Sequence, residues 1–192
     1  MNGTEDYLFR LKSTMHGRLT ASFAALFCSA AAAFALAYLI FSRINCGNFI
    51  IACDLSGSFF EACVNAMCSQ MPCAVMLLSV YLSAFSSLSE KVSFFVCIWR
   101  GLCLGTTVSL ILKGSVGGVA SEWKISILFY FAATVGIIAF ASVTSLYSAA
   151  ITYTFASGDK RYFRSLAAEY TKCFLIASGA VFIFGCASAV FI

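Results

Sequence analysis

Charged residues are scarce in this chain. It has 8 acidic and 12 basic residues among 192, whereas 61% of its residues are hydrophobic. A soluble domain carries about 25% charged residues, so this chain has too few to cover a water-soluble globule of its size. The composition predicts an integral membrane protein with no room for a sizeable soluble domain. Its small net charge of +4 relates to membrane topology rather than to nucleic-acid binding.

Catalytic groups are scarce as well. His16 is the only histidine, and no Asp or Glu lies well inside an apolar stretch. Zinc, Ser–His and aspartyl hydrolases of the membrane need such groups at depth. The phosphate-binding patterns GxxxxGK[ST] and GxGxxG are also missing. We therefore predict a non-enzymatic protein without a catalytic, cofactor or metal site and without a nucleic-acid partner.

Cysteine, in contrast, is abundant, with ten residues that lie mostly in apolar segments. We interpret most of them as small apolar packing residues, since no CxxC pair or Cys/His cluster is present. Cys46, Cys53 and Cys63 lie in the least apolar connection. A disulfide among them is an open alternative if that connection faces an oxidising space.

Five apolar stretches predict membrane helices, at about residues 19–41, 71–88, 92–112, 125–148 and 173–192. About 20 helical residues cross a hydrocarbon core of about 30 Å. The fourth stretch stays apolar as far as Phe155, so it must tilt, break or project, and Gly136 is a candidate weak point. The fold class is an all-α membrane protein with a single transmembrane domain over residues 19–192.

Two further segments read as interfacial amphipathic helices. Residues 1–18 form a basic amphipathic segment, which we expect to lie along the cytoplasmic surface. Residues 47–70 carry an apolar stripe beside acidic residues and serines. We interpret this second segment as an interfacial helix that leads into span two; the alternative of a sixth span would overturn the topology.

Basic residues set the orientation. The connections on one side of the predicted membrane hold eight Lys and Arg residues, and those on the other side hold three. The positive-inside rule then places the N-terminus in the cytoplasm. The richer side holds Arg10, Lys12, Arg18, Lys91, Lys160, Arg161, Arg164 and Lys172.

Arg100 near the middle of span three is the strongest functional clue. A guanidinium at that depth costs at least about 2.5–3.5 kcal/mol on insertion scales, so we expect it to face protein or water. It either bonds to neighbouring helices or attracts an anionic ligand. Gly101 and Gly105 beside it have the GxxxG spacing that lets a second helix approach closely. Asn65 stands just before span two as a further candidate contact.

These features occur in a recognisable order. Phe59-Phe60-Glu61-Ala62-Cys63-Val64-Asn65 precedes span two, and Arg100-Gly101-Leu102-Cys103-Leu104-Gly105 lies in span three. This layout resembles the stage II sporulation protein M family of bacterial membrane proteins. In that family an asparagine precedes span two, and a basic residue or asparagine with two glycines at this spacing marks span three. Span two differs, since it has serines where the family has glycine.

The resemblance implies a bacterial cell-membrane protein that acts as a non-enzymatic anchor. Its partners would be the D and P sporulation proteins, which carry peptidoglycan hydrolysis during septal thinning and engulfment. Membrane lipids and a second copy of the chain are the other partners we consider.

A second interpretation is the substrate-binding subunit of an energy-coupling-factor transporter for a vitamin or metal. That class has a similar length, normally has six spans and docks its partner through an Ala-x-x-x-Ala face. Ala21-x-x-x-Ala25 and Ala33-x-x-x-Ala37 of span one supply such spacing. The parity of the spans discriminates between the two interpretations. A small channel is a third and weaker idea, since no charged ring or filter-like loop is visible.

Overall fold

The computed structural model describes residues 2–43, 70–114, 122–157 and 160–190. Within these ranges the chain forms helices and one short turn, with no strand. The helices are α1 (Asn2–Arg43), α2 (Met71–Ser83), α3 (Ser89–Gly114), α4 (Glu122–Ser157) and α5 (Lys160–Val190). Four of them are long and apolar enough to cross a membrane, over Gly17–Arg43, Ser89–Ser109, Ser126–Phe155 and Phe163–Ala187. The predicted all-α membrane fold is confirmed.

The predicted amphipathic segment and span one lie on the same helix. Residues 2–43 form one unbroken helix. Gly17 weakens a helix by only about 1 kcal/mol relative to alanine. The Thr20 hydroxyl donates to the Gly17 carbonyl at 3.0 Å. Because 42 residues of helix extend about 63 Å, α1 continues well past its apolar span.

The second helix is shorter than predicted. It ends at Ser83, and residues 84–88 form a turn. The Ser83 hydroxyl donates to the Val80 carbonyl at 2.7 Å, and the Ser86 hydroxyl donates to the Ser83 carbonyl at 2.9 Å. Such local bonds give the backbone an alternative to a continued helix. The 13 residues of α2 rise about 20 Å, which is less than the thickness of the hydrocarbon core.

The last two helices are longer than predicted. α4 continues unbroken through Gly136 to Ser157, and α5 begins at Lys160 rather than near residue 173. The hydropathy pattern misplaced the start of α5 because Arg164 and Lys172 face outward, whereas Tyr170 between them is fully buried. The predicted basic connection therefore belongs to the helix.

The first and third helices run in the same direction. A side chain added at Gly101 would meet the Ala30 backbone, and one added at Gly105 would meet Phe34. Both residue numbers increase together along this contact, so α1 and α3 are parallel. α1 also contacts α4, since the Ser22 and Ser145 hydroxyl oxygens lie 3.0 Å apart, within hydrogen-bonding distance.

Helix α4 runs against α1 and α3. Ser22 of α1 lies at the level of Ser145 of α4. Farther along α1, Ala30 lies against Gly101, and the neighbouring Arg100 binds Tyr130 and Thr134 of α4. The numbers on α4 therefore fall as those on α1 rise. α5 is antiparallel to α4, as four pairs along the two helices show: Phe155–Phe163, Thr144–Tyr170, Gly136–Val181 and Phe129–Phe184.

Helix α2 is antiparallel to α5. The Gln70 amide nitrogen donates to the Gly185 carbonyl at 3.0 Å, and the Tyr81 ring lies 4.4 Å from that of Phe174. The five helices thus alternate in direction along the chain. α1 ends and α2 begins at the same end of the bundle, which we call the Arg43 end; the opposite one is the Gly17 end.

An aromatic cluster packs the helices toward the Gly17 end. Tyr170 at its centre is fully buried, and its hydroxyl lies 2.9 Å from that of Thr144. Rings from α2, from the turn that follows it and from α4 surround Tyr170 with centroids 5.2–6.2 Å away, at Tyr81, Phe85, Phe140 and Tyr147. Stacked and edge-on rings at this spacing stabilise a core beyond their buried area, so this cluster fixes α2, α4 and α5 together.

The helix directions predict that the start of α1 and the end of α5 lie on opposite sides of the membrane. Separate fusions of one compartment-sensitive reporter at residue 1 and after residue 192 test this. We expect the N-terminal fusion to report the cytoplasm and the C-terminal fusion the outside. Matching signals from both fusions would contradict the alternating order of the helices.

Candidate functional site

Arg100 is buried inside the bundle. Its side chain is 3% exposed, and it lies near the middle of the apolar span Ser89–Ser109. The sequence predicts that this cation faces protein or water rather than lipid, and the structure places it against α4.

Two hydroxyl groups of α4 hold the guanidinium. Arg100 Nε donates to Thr134 Oγ1 at 3.2 Å, and Nη1 donates to the Tyr130 hydroxyl at 2.7 Å. Thr134 in turn donates to the Tyr130 carbonyl at 2.9 Å. The guanidinium carbon also lies 3.9 Å from the centre of the Tyr130 ring, where the ring face attracts a cation. Tyr130 therefore binds Arg100 by both hydroxyl and ring.

The polar contacts continue along α3. Thr107 and Thr106 each donate to the Cys103 carbonyl at 2.8 Å. The hydroxyl protons of both threonines are therefore satisfied by the backbone of α3 itself.

One edge of the guanidinium is left over. Arg100 Nη2 is buried and has no hydrogen-bond partner among the described residues, and its other bonds go to uncharged hydroxyls. An unpaired buried charged donor is destabilising. This atom is the main electrostatic peculiarity of the site.

Gly101 and Gly105 bring α1 against α3, as the GxxxG spacing predicts. A Cβ at Gly101 would lie 2.9 Å from the Ala30 carbonyl carbon, and one at Gly105 would lie 2.9 Å from the Ala37 Cβ. Only glycine allows the two backbones to approach this closely. The motif therefore serves packing within the chain.

The alanines of α1 divide into two faces. Ala30, Ala33 and Ala37 are buried, whereas Ala21 and Ala25 are exposed. The second predicted Ala-x-x-x-Ala pair is thus buried within the chain, and only the first remains on the surface.

An apolar groove of about 390 Å³ lies between α1, α3 and α4. Its lining includes Phe34, Gly101, Leu104 and Phe131, and Thr134 is its polar side chain. Thr134 therefore bonds Arg100 on one side and borders the groove on the other.

The other predicted contacts fall into three groups. Asn65, Cys46, Cys53 and Cys63 lie outside the described residues. Gln70 donates to the Gly185 backbone carbonyl. Cys73 and Cys97 are buried thiols, and no group of metal-binding side chains occurs in the part of the chain that the structure describes.

The sequence did not single out Tyr130 and Thr134. Both lie in an apolar stretch where isolated hydroxyl residues are common. Their four-residue spacing, which puts two hydroxyls on one helix face, was the signal that could have found them.

Comparison with protein-family models found no matching family, and comparisons with curated proteins and with solved structures found no similar protein.

We predict that Gly101→Ala destabilises the fold by about 1–3 kcal/mol, the usual cost of overpacking, because the new methyl group meets the Ala30 backbone. The control is Gly179→Ala, since a Cβ there meets nothing within 4 Å. Thermal unfolding of both variants in an uncharged detergent measures the difference. Equal unfolding temperatures would contradict the close α1–α3 contact.

We also predict that Tyr130→Phe destabilises the protein by about 1.5–3 kcal/mol, the range for hydrogen bonds to charged groups. The ring stays over Arg100, but Nη1 loses its acceptor. Tyr153→Phe is the matched control because Tyr153 is 76% exposed. Chemical denaturation of the two variants compares them; a similar small effect of both changes would remove the role assigned to the Tyr130 hydroxyl.

Proposed function

We propose that this protein is a non-enzymatic membrane anchor of a peptidoglycan-remodelling complex, of the kind implied by its resemblance to the stage II sporulation protein M family. It lies in a bacterial cell membrane with its N-terminus in the cytoplasm. Its partners are hydrolases of the sporulation D and P type, which carry the cell-wall chemistry.

The alternation of the five helices is the observation that carries this proposal. Because the described helices alternate in direction, the start of α1 and the end of α5 lie at opposite ends of the bundle. A chain whose two ends lie on opposite sides of the membrane fits the five-span anchor and differs from the six spans of an energy-coupling-factor subunit. The direction of α1, α3 and α5 follows from contacts at several levels of the bundle.

The packing of α1 supports the same proposal. A transporter subunit needs an exposed alanine face to dock its coupling protein. In this chain the Ala33-x-x-x-Ala37 face is buried against α3, so it holds the fold together instead. Ala21 and Ala25 remain exposed, and they allow the alternative to be tested directly.

The arrangement around Arg100 also suits an anchoring role. Its bonds to Tyr130 and Thr134 connect α3 to α4, while the glycines beside it connect α3 to α1. α3 is thereby fixed between two neighbours, and a rigid bundle presents constant surfaces to partner proteins.

Co-purification from native membranes in a mild detergent tests the proposal. We expect peptidoglycan hydrolases to accompany the tagged protein and to be missing when an unrelated tagged multi-pass protein is purified in the same way. Recovery of a pair of ATPases with a membrane coupling protein, lost in an Ala21→Leu/Ala25→Leu variant, would replace the anchor with the transporter subunit.

A further inference from the structure

We propose that the apolar groove between α1, α3 and α4 holds one acyl chain of a membrane lipid, which comes from the leaflet at the Arg43 end of the bundle. The chain enters between α1 and α4 and reaches α3, so it packs as part of the bundle rather than as part of the surrounding bilayer. This inference rests on the membrane fold and does not depend on the proposed function.

The groove arises because α1 and α4 pack against different parts of α3. The Ser22 and Ser145 hydroxyl oxygens lie 3.0 Å apart, on the Gly17 side of the groove. Toward the Arg43 end, α1 lies against Gly101 and Gly105, whereas α4 binds Arg100. The space of about 390 Å³ that remains between α1 and α4 is within the usual range of about 300–1,000 Å³ for ligand pockets.

The groove has the depth and the length of one membrane leaflet. Its α1 lining, residues 27–34, lies at the middle of the span Gly17–Arg43. Its α4 lining runs from Ile138 to Ile127, toward the Arg43 end. These 11 steps of helix extend about 16 Å, which is close to half of a hydrocarbon core of about 30 Å. An extended acyl chain of that leaflet covers the same distance, from the Arg43 end to the middle of the membrane.

The lining of the groove selects an apolar occupant. Among the described residues, no charged side chain lines it, and Thr134 is its polar side chain. The Thr134 hydroxyl donates to the Tyr130 carbonyl at 2.9 Å and accepts from Arg100 Nε at 3.2 Å. Its proton is thus engaged within the protein, and the groove offers no free donor to a polar ligand. A chain in the groove covers Thr134 and thereby keeps water away from its bond to Arg100.

The groove is continuous with the lipid-facing surface of the bundle. Leu128 and Phe131 on its rim are 66% and 45% exposed, whereas Leu104 on its floor is 6% exposed. An empty apolar slot forfeits dispersion contacts, and in a bilayer the molecules beside this opening are acyl chains. A partner helix fits less well, because close helix packing needs small residues and the rings of Phe27, Phe34 and Phe131 line this opening.

The test uses the purified full-length protein in phosphatidylcholine nanodiscs, in which some lipids carry a photoreactive diazirine in the middle of one acyl chain. After irradiation, mass spectrometry of peptide fragments locates the attached lipid. We expect label on Leu104, which a lipid outside the groove does not reach because this side chain is 6% exposed. Label on Leu36, which is 57% exposed outside the groove, is the internal reference for ordinary lipid contact.

Two neighbouring alanines of α1 provide matched variants. Both Ala31 and Ala32 are exposed, but only Ala31 lines the groove. Ala31→Trp should fill the groove and lower the label on Leu104 several-fold relative to Leu36. Ala32→Trp should leave that ratio unchanged. If Ala31→Trp does not fold, Val135→Phe fills the groove from α4 and should lower the ratio in the same way.

Three results would overturn the proposal. The first is label on Leu36 but none on Leu104 in the unmodified protein. The second is an equal loss of Leu104 label in the Ala31→Trp and Ala32→Trp variants. The third is a dimer of the unmodified protein that lacks Leu104 label and that Ala31→Trp dissociates, since this would assign the groove to a second copy of the chain.

Discussion

The fold is organised around the need to bury one charge in an apolar bundle. A guanidinium in the middle of a membrane helix is stable only where protein groups replace water. Tyr130 and Thr134 supply these groups from α4, so the partner of α3 and its register are fixed by Arg100. A shift of α4 by one residue would turn both hydroxyls away from the cation, which makes the Arg100 contact a determinant of specificity as well as of stability.

Close packing on the opposite side of α3 complements this electrostatic contact. Lipid tails are as apolar as leucine side chains, so membrane helices gain little from apolar burial and depend on close packing and hydrogen bonds. Gly101 and Gly105 provide the close packing toward α1. The residue that needs protein around it and the glycines that attract a helix are adjacent in sequence, and therefore two neighbours enclose α3 at the same depth.

The sequence predicted the parts of this site that are chemically unusual for a membrane span. Arg100 and the two glycines stand out because charge and GxxxG spacing have few roles in an apolar helix. Tyr130 and Thr134 did not stand out, since hydropathy does not encode which helices are neighbours. Hydropathy also misplaced the start of α5, because Arg164 and Lys172 lower the mean hydropathy of its first half. Both side chains are exposed, whereas Tyr170 between them is buried.

The two ends of the bundle are built from different interactions. At the Gly17 end, stacked rings around Tyr170 fill the space between α2, α4 and α5, and its hydroxyl is paired with Thr144. At the Arg43 end, Gln70 fixes the start of α2 by one amide bond to α5, and hydroxyl and thiol groups lie between the helices. Between the two ends, hydroxyl groups of α4 rather than aromatic rings hold the buried Arg100 guanidinium. The Gly17 end therefore depends on ring packing, whereas the rest of the bundle depends on a few specific hydrogen bonds.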